Sequence, residues 1–203
     1  LVIGPGTSIG HDAVGDSAAL ETLGRRGGFR VRIVEPVLHR GSPVRSSTIR
    51  AALQEGRVRD AAAMLGRPFA LSGPVTSGNR RGRELGFPTA NLALPRDTAL
   101  PSNGVYAAWA AVGGVRHAAA ASVGVRPTFG GGPQDERIVE AFLLDFQGDL
   151  YGQTMRLEFV ERLRDEERFP SADALARQMS RDIEAASRAL EQTAPARGRR
   201  RRE

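Results

Sequence analysis

Between residues 69 and 161 the chain is a series of short β-type runs punctuated by glycine and proline. The runs are 69–75, 89–92, 104–112, 115–123, 138–145 and 155–161. Six short strands at this spacing predict an antiparallel barrel, whose closure leaves no open sheet edge. Gly113-Gly114 between two of the runs is a tight-hairpin signal. Residues 171–190 then read as one amphipathic helix. Ser171 stands at its start as an N-cap candidate, and Leu175, Met179, Ile183 and Ala186 share a face. That helix is expected to cover one side of the barrel.

The first 65 residues have a different texture. Leu1-Val2-Ile3-Gly4 reads as a strand, Asp16 precedes a helical pattern carrying Leu20 and Leu23, and residues 29–34 alternate like a second strand. Together they predict β-α-β, the unit of a parallel sheet. A parallel sheet needs helices on both faces, so about 40 residues of this pattern read as the end of a larger α/β domain. Ser46-Ser47-Thr48 stands before an apolar run, where hydroxyls cap a helix or, with Arg50, hold a phosphate. Gly56 breaks that helix, residues 57–65 resume it, and Gly66-Arg67-Pro68 ends it. The domain boundary is expected there.

Composition removes several classes. With no Cys among 203 residues, disulfides and thiolate metal sites are excluded, and a reducing cytoplasm is the expected setting. No apolar run is long enough to span a bilayer, so no membrane partner is expected. The net charge is +6, and every basic residue is Arg. Five of those Arg (Arg197, Arg199, Arg200, Arg201 and Arg202) crowd the end of the chain. Residues 191–203 are expected to be an Arg-rich disordered tail rather than a nucleic-acid arm. His11, His39 and His117 are scattered, which gives no support to a His-based metal site or triad.

Five segments can carry chemistry. Gly73, Gly78 and Gly82, with Arg80, Arg81 and Arg83, form either a flexible hairpin or a loop whose N–H groups approach phosphate oxygens. In Gly86-Phe87-Pro88-Thr89-Ala90-Asn91, an extended backbone after Pro88 puts Thr89 and Asn91 on one side. Two such oxygens suit a hard cation that bridges phosphates, or else the pair satisfies its own turn. Glu140 shares a strand face with Ile138, Phe142 and Leu144. A carboxylate there either ends a strand in water or faces a pocket as a general base. Finally, residues 122–132 are a Gly-rich loop able to cover a site, and Arg164 lies in a charge run that is either solvated or reaches a ligand.

These strings, in order, resemble the riboflavin kinase module of the bacterial bifunctional riboflavin kinase/FMN adenylyltransferases. The matching segments are Leu65-Gly66-Arg67-Pro68-Phe69, residues 82–91, Gly104-Val105-Tyr106-Ala107 and residues 124–131. Further matches are Glu140 with Leu143-Leu144-Asp145-Phe146, Gly148-Asp149-Leu150-Tyr151-Gly152, and Arg162-Leu163-Arg164-Asp165-Glu166 with Phe169. The resemblance implies a mainly β fold. It would be a six-stranded antiparallel riboflavin-kinase-like barrel with a C-terminal α-helix over 66–190, preceded by the partial end of an α/β nucleotidyltransferase domain over 1–65. It implies transfer of the ATP γ-phosphate to the 5′-hydroxyl of riboflavin, giving FMN. Thr89 and Asn91 would hold Mg²⁺ and phosphate, and Glu140 would be the catalytic base. Gly73, Gly78 and Gly82 are assigned to the phosphates, and Arg164 and Phe169 to the flavin. Where the family has Asn-Ile-Gly, this chain has Ser122-Val123-Gly124. The family's His-rich nucleotide motif is absent, so adenylyltransferase activity is not expected of this chain.

Two rivals predict different behaviour. A nucleic-acid-binding barrel needs exposed stacking aromatics, yet aromatic content is 5%, Tyr106 and Trp109 lie in a core-like run, and Glu140 is left unexplained. A flavin carrier without catalysis would bind riboflavin and form no product.

Overall fold

The computed structural model describes residues 1–10, 15–77, 86–126 and 136–193. It divides into two compact units, Leu1–Ser46 and Ser47–Glu203. In the first, β1 (Val2–Ile3) and β2 (Arg32–Ile33) pair in parallel around α1 (Ser17–Gly27). The Asp16 carboxylate caps α1 by accepting from the Ala19 N–H at 2.8 Å, and Gly28 ends it in the left-handed region. A small hairpin follows, β3 (Leu38–His39) with β4 (Ser42–Pro43).

The second unit begins with two short helices, α2 (Ser46–Gln54) and α3 (Val58–Leu65). Gly56 separates them at φ 73°, in a spot where an added Cβ would collide with the Arg162 side chain and the Ser102 hydroxyl. Ala52, Leu53, Val58 and Ala61 bury into the same core as the barrel strands. The compact units therefore divide at Ser46/Ser47 and not at residue 65/66, where the composition changes.

Six strands form a closed barrel: β5 (Phe69–Thr76), β6 (Ala90–Leu92), β7 (Gly104–Val112), β8 (Val115–Arg126), β9 (Glu136–Leu143) and β10 (Thr154–Arg164). Around the barrel the order is β10-β5-β6-β9-β8-β7, and every pairing is antiparallel. Alternation decides what is inside. Val139, Ala141 and Leu143 of β9, Ala90 and Leu92 of β6, and Ala119, Ala121 and Val123 of β8 all enter one core. Tyr106 and Phe159 fill its centre edge to face at 5.4 Å, both fully buried. Truncating Phe159 there would cost about 3–5 kcal/mol. The β7–β8 hairpin turns on Gly113 and Gly114, both at positive φ (57° and 81°), as its tight turn requires.

The last helix, α4 (Ala172–Glu191), starts on the Ser171 hydroxyl, which accepts from the Ala174 N–H at 3.2 Å. Ala186, Ala189 and Leu190 pack onto Ala107, with Ala118, Ala120, Val160 and Leu163 around them. Alanines on both sides let the helix lie close against the outer face of β7, β8 and β10. Two register shifts in β10, between Phe159 and Glu161 and between Arg162 and Arg164, are bulges. The second brings Arg164 opposite Val105, on the outer face beneath α4.

Candidate active site

One register row runs across the outer face of the barrel. Thr76 pairs with Asn91, Asn91 with Glu140, Glu140 with Ser122, Ser122 with Val105, and Val105 with Arg164. Cross-strand partners put their side chains on the same face about 5 Å apart. The row therefore gathers residues far apart in sequence without any loop having to hold them.

Thr89 joins this row from the segment entering β6. Gly86 stands at φ 85°, and the Phe87 ring meets Phe142 edge to face at 5.8 Å, which ties the segment to β9. The Thr89 hydroxyl donates to Glu140 Oε2 at 3.2 Å. Asn91 is 7% exposed, and its carbonyl oxygen has no hydrogen-bond partner among the described residues. A buried acceptor without a partner costs stability and calls for an explanation. Among the described residues no group of three or more His, Cys, Asp or Glu side chains could hold a metal. The oxygens on offer here are thus two neutral ones and the Glu140 carboxylate. That set fits a hard cation taking its remaining ligands from water and phosphate.

Two cavities meet at this point. One, of about 600 Å³, lies beside Pro88, Leu143, Phe146, Asp149 and Tyr151. Its wall is a tight turn in which the Tyr151 N–H donates to Asp149 Oδ1 at 2.9 Å. The other, of about 230 Å³, lies between the barrel's outer face and α4. It is lined by Glu140, Ser122 and Phe142 from the strands and Leu175, Met179 and Ile183 from the helix. Thr89 is the one described residue that lines both.

Arg164 also lines the groove under α4 but is held by the protein itself. Its Nε and Nη2 donate to both Asp182 carboxylate oxygens at 2.8 and 2.7 Å, Nη1 donates to the Asp165 carbonyl, and Gln178 adds a bond to Asp182. Hydrogen bonding to Asp182 holds the guanidinium above its ordinary pKa despite burial. The Phe169 ring lies 5.7 Å from the Arg164 guanidinium and is not among the residues lining the groove.

Gly73 lies inside β5 opposite Met155 and lines neither cavity. A Cβ there would collide with the Ala93 carbonyl, so close approach of the neighbouring segment accounts for this glycine. Gly78 and Gly82, residues 127–132 of the Gly-rich loop and residues 194–203 of the Arg tail lie outside the described residues, whereas residues 122–126, expected as part of that loop, are the end of β8.

Asp182 and Gln178 escaped the sequence reading, and residues 146–151, most of them named there among the family strings, were given no place in the site. A signal for the first existed: Asp182 falls in the apolar stripe of α4 beside Met179 and Ile183. A carboxylate there needs a partner.

Residues 65–190 match the Flavokinase family model, described as riboflavin kinase. The chain belongs to the riboflavin kinase family. A bifunctional riboflavin kinase/FMN adenylyltransferase from Pseudomonas fluorescens is 38% identical over 190 residues, covering 94% of this chain and 60% of the relative. That of Escherichia coli K12 is 36% identical over 183 residues, covering 90% and 57%. A crystal structure described as a macrolide-efflux protein from Streptococcus pneumoniae superposes with a TM-score of 0.78 at 35% identity, covering 92% of this chain and 60% of that one. The chain thus spans about three-fifths of the length of these proteins. Among the described residues no helix is long and apolar enough to cross a membrane.

Proposed function

We propose that this chain transfers the γ-phosphate of ATP to the 5′-hydroxyl of riboflavin, giving FMN and ADP. The observation that carries the reading is Thr89, which borders both cavities and hydrogen-bonds Glu140. Of the two cavities, Glu140 lines the groove under α4, so the acceptor alcohol belongs there and the nucleotide in the larger cavity. Phe142, Leu175, Met179 and Ile183 suit the apolar face of a flavin ring.

The Glu140 carboxylate accepts the proton of the 5′-hydroxyl as its oxygen attacks the γ-phosphorus. A P–O bond to riboflavin forms, the bridging bond to the β-phosphate breaks, and ADP leaves with the electron pair. Thr89 orients Glu140 through its hydroxyl. The Asn91 carbonyl oxygen and Thr89 are the residues that would hold Mg²⁺. When bound, the ion supplies charge neutralisation on the phosphates, the main requirement of phosphoryl transfer. Gly78 and Gly82 are proposed to lend backbone N–H groups to the same phosphates.

Arg164 acts on the flavin through the groove wall: its bonds to Asp182 tie α4 to β10. The first unit is proposed to be the end of an α/β adenylyltransferase domain, since its β1-α1-β2 order is that of a parallel sheet. The reaction belongs in the cytoplasm, which supplies ATP. Mixing the chain with riboflavin, ATP and Mg²⁺ tests the reading: FMN must form, and its formation must need all three. Flavin binding without FMN would leave a carrier, and no flavin binding would leave neither.

A further inference from the structure

The groove under α4 has few polar side chains, and most of them satisfy one another. Thr89 is spent on Glu140 Oε2. Arg164 and Asp182 are spent on each other, with Gln178 and the Asp165 carbonyl completing the set. Two groups remain without a partner among the described residues: the second oxygen of Glu140 and the hydroxyl of Ser122. These two residues are direct partners in the β8–β9 register, so their side chains stand side by side on the face that floors the groove. The rest of the lining near them is apolar, namely Ala120, Phe142, Met179 and Ile183. A hydroxyl set in apolar surroundings favours a ligand that brings a hydrogen-bonding group to it.

From this pairing we infer that Ser122 is a specificity-determining residue, which hydrogen-bonds an internal hydroxyl of the acceptor's polyol chain while the terminal hydroxyl lies on Glu140. This deepens the riboflavin kinase reading and rests on it. A polyol running along the groove offers hydroxyls at successive carbons. Glu140 and Ser122, on adjacent strands, offer two oxygens at a separation fixed by the sheet. An acceptor with only its terminal hydroxyl would cover the Ser122 hydroxyl without bonding it. Sites that bond a substrate hydroxyl discriminate against analogues lacking it for this reason.

The test compares riboflavin with its 2′-, 3′- and 4′-deoxy analogues, all of which keep the 5′-hydroxyl. Each is used as acceptor by the wild-type chain and by Ser122→Ala. The wild type is expected to lose about tenfold in kcat/KM on one of the three, the size of one hydrogen bond. Ser122→Ala is expected to lose about the same factor on riboflavin and to use that one analogue as well as riboflavin. Its KM for ATP and its melting temperature should not move. A variant with wild-type kcat/KM on riboflavin, or with the wild-type ranking of the four acceptors, overturns the proposal. So does a wild type that phosphorylates all four equally. A wild type that makes no FMN from riboflavin overturns the kinase reading itself, and the proposal with it.

Discussion

The Thr89 hydroxyl lies 3.2 Å from Glu140 Oε2, across 51 residues of sequence. The bond joins the segment entering β6 to the middle of β9, at the place where the two cavities meet. It engages one carboxylate oxygen of a residue that lines the groove under α4.

Replacing Glu140 with Gln keeps the shape and the Thr89 contact but removes the proton acceptor. General-base assistance contributes about 10²–10⁴-fold. Turnover should fall by about that factor, with the KM for riboflavin nearly unchanged. Steady-state kinetics check this, and a near-normal turnover would remove Glu140 from the chemistry.

Asn91 separates a functional residue from a structural one. Its buried carbonyl oxygen has no partner among the described residues, so Asn91→Ala removes an unsatisfied acceptor and should cost little or no stability. Activity should nevertheless drop, and the Mg²⁺ concentration for half-maximal rate should rise by about tenfold. The two measurements are a melting curve and a Mg²⁺ titration of the rate. A variant that melts much earlier but keeps its Mg²⁺ dependence would make Asn91 a packing residue.

Asp182→Ala should do the reverse. It leaves the Arg164 guanidinium, 18% exposed as a side chain, without its carboxylate. Breaking one side of a buried pair costs about 3–5 kcal/mol. The groove wall should loosen too, raising the KM for riboflavin more than that for ATP. Replacing both members with apolar residues of similar volume, Arg164→Met with Asp182→Leu, should recover much of the stability. Urea unfolding of the single and double variants measures both effects.

Gly73→Ala is predicted to act on the fold. The new Cβ would strike the Ala93 carbonyl, a backbone atom that cannot swing away as a side chain does. Expression and melting temperature should suffer, while the folded fraction keeps its KM for ATP. A stable variant with weakened ATP use would return Gly73 to the phosphate site.

The elements were legible because their causes are local. Alternation in Ile138-Val139-Glu140-Ala141-Phe142 gives the strand and its faces, Ser171 starts α4, and Gly113-Gly114 makes its own turn. Thr89, Asn91 and Glu140 could each be singled out as residues out of place. Their meeting was implied by the family resemblance and not by the local sequence, because it depends on the register that pairs Asn91 and Ser122 with Glu140. Arg164 was legible as a charge and not as half of a pair. Its place opposite Val105 depends on two bulges in β10, and nothing in the local sequence marks them. The grouping of α2 and α3 with the barrel was hidden for a similar reason. Their buried faces, Leu53 and Val58 among them, are read as amphipathic from sequence, but the surface they cover is not.

The most direct measurement follows the phosphate itself. With ATP labelled on its γ-phosphate, riboflavin and Mg²⁺, the label should appear in FMN, with one ADP formed for each FMN, and Glu140→Gln should slow the transfer. Label released as phosphate or pyrophosphate without labelled FMN would contradict the account.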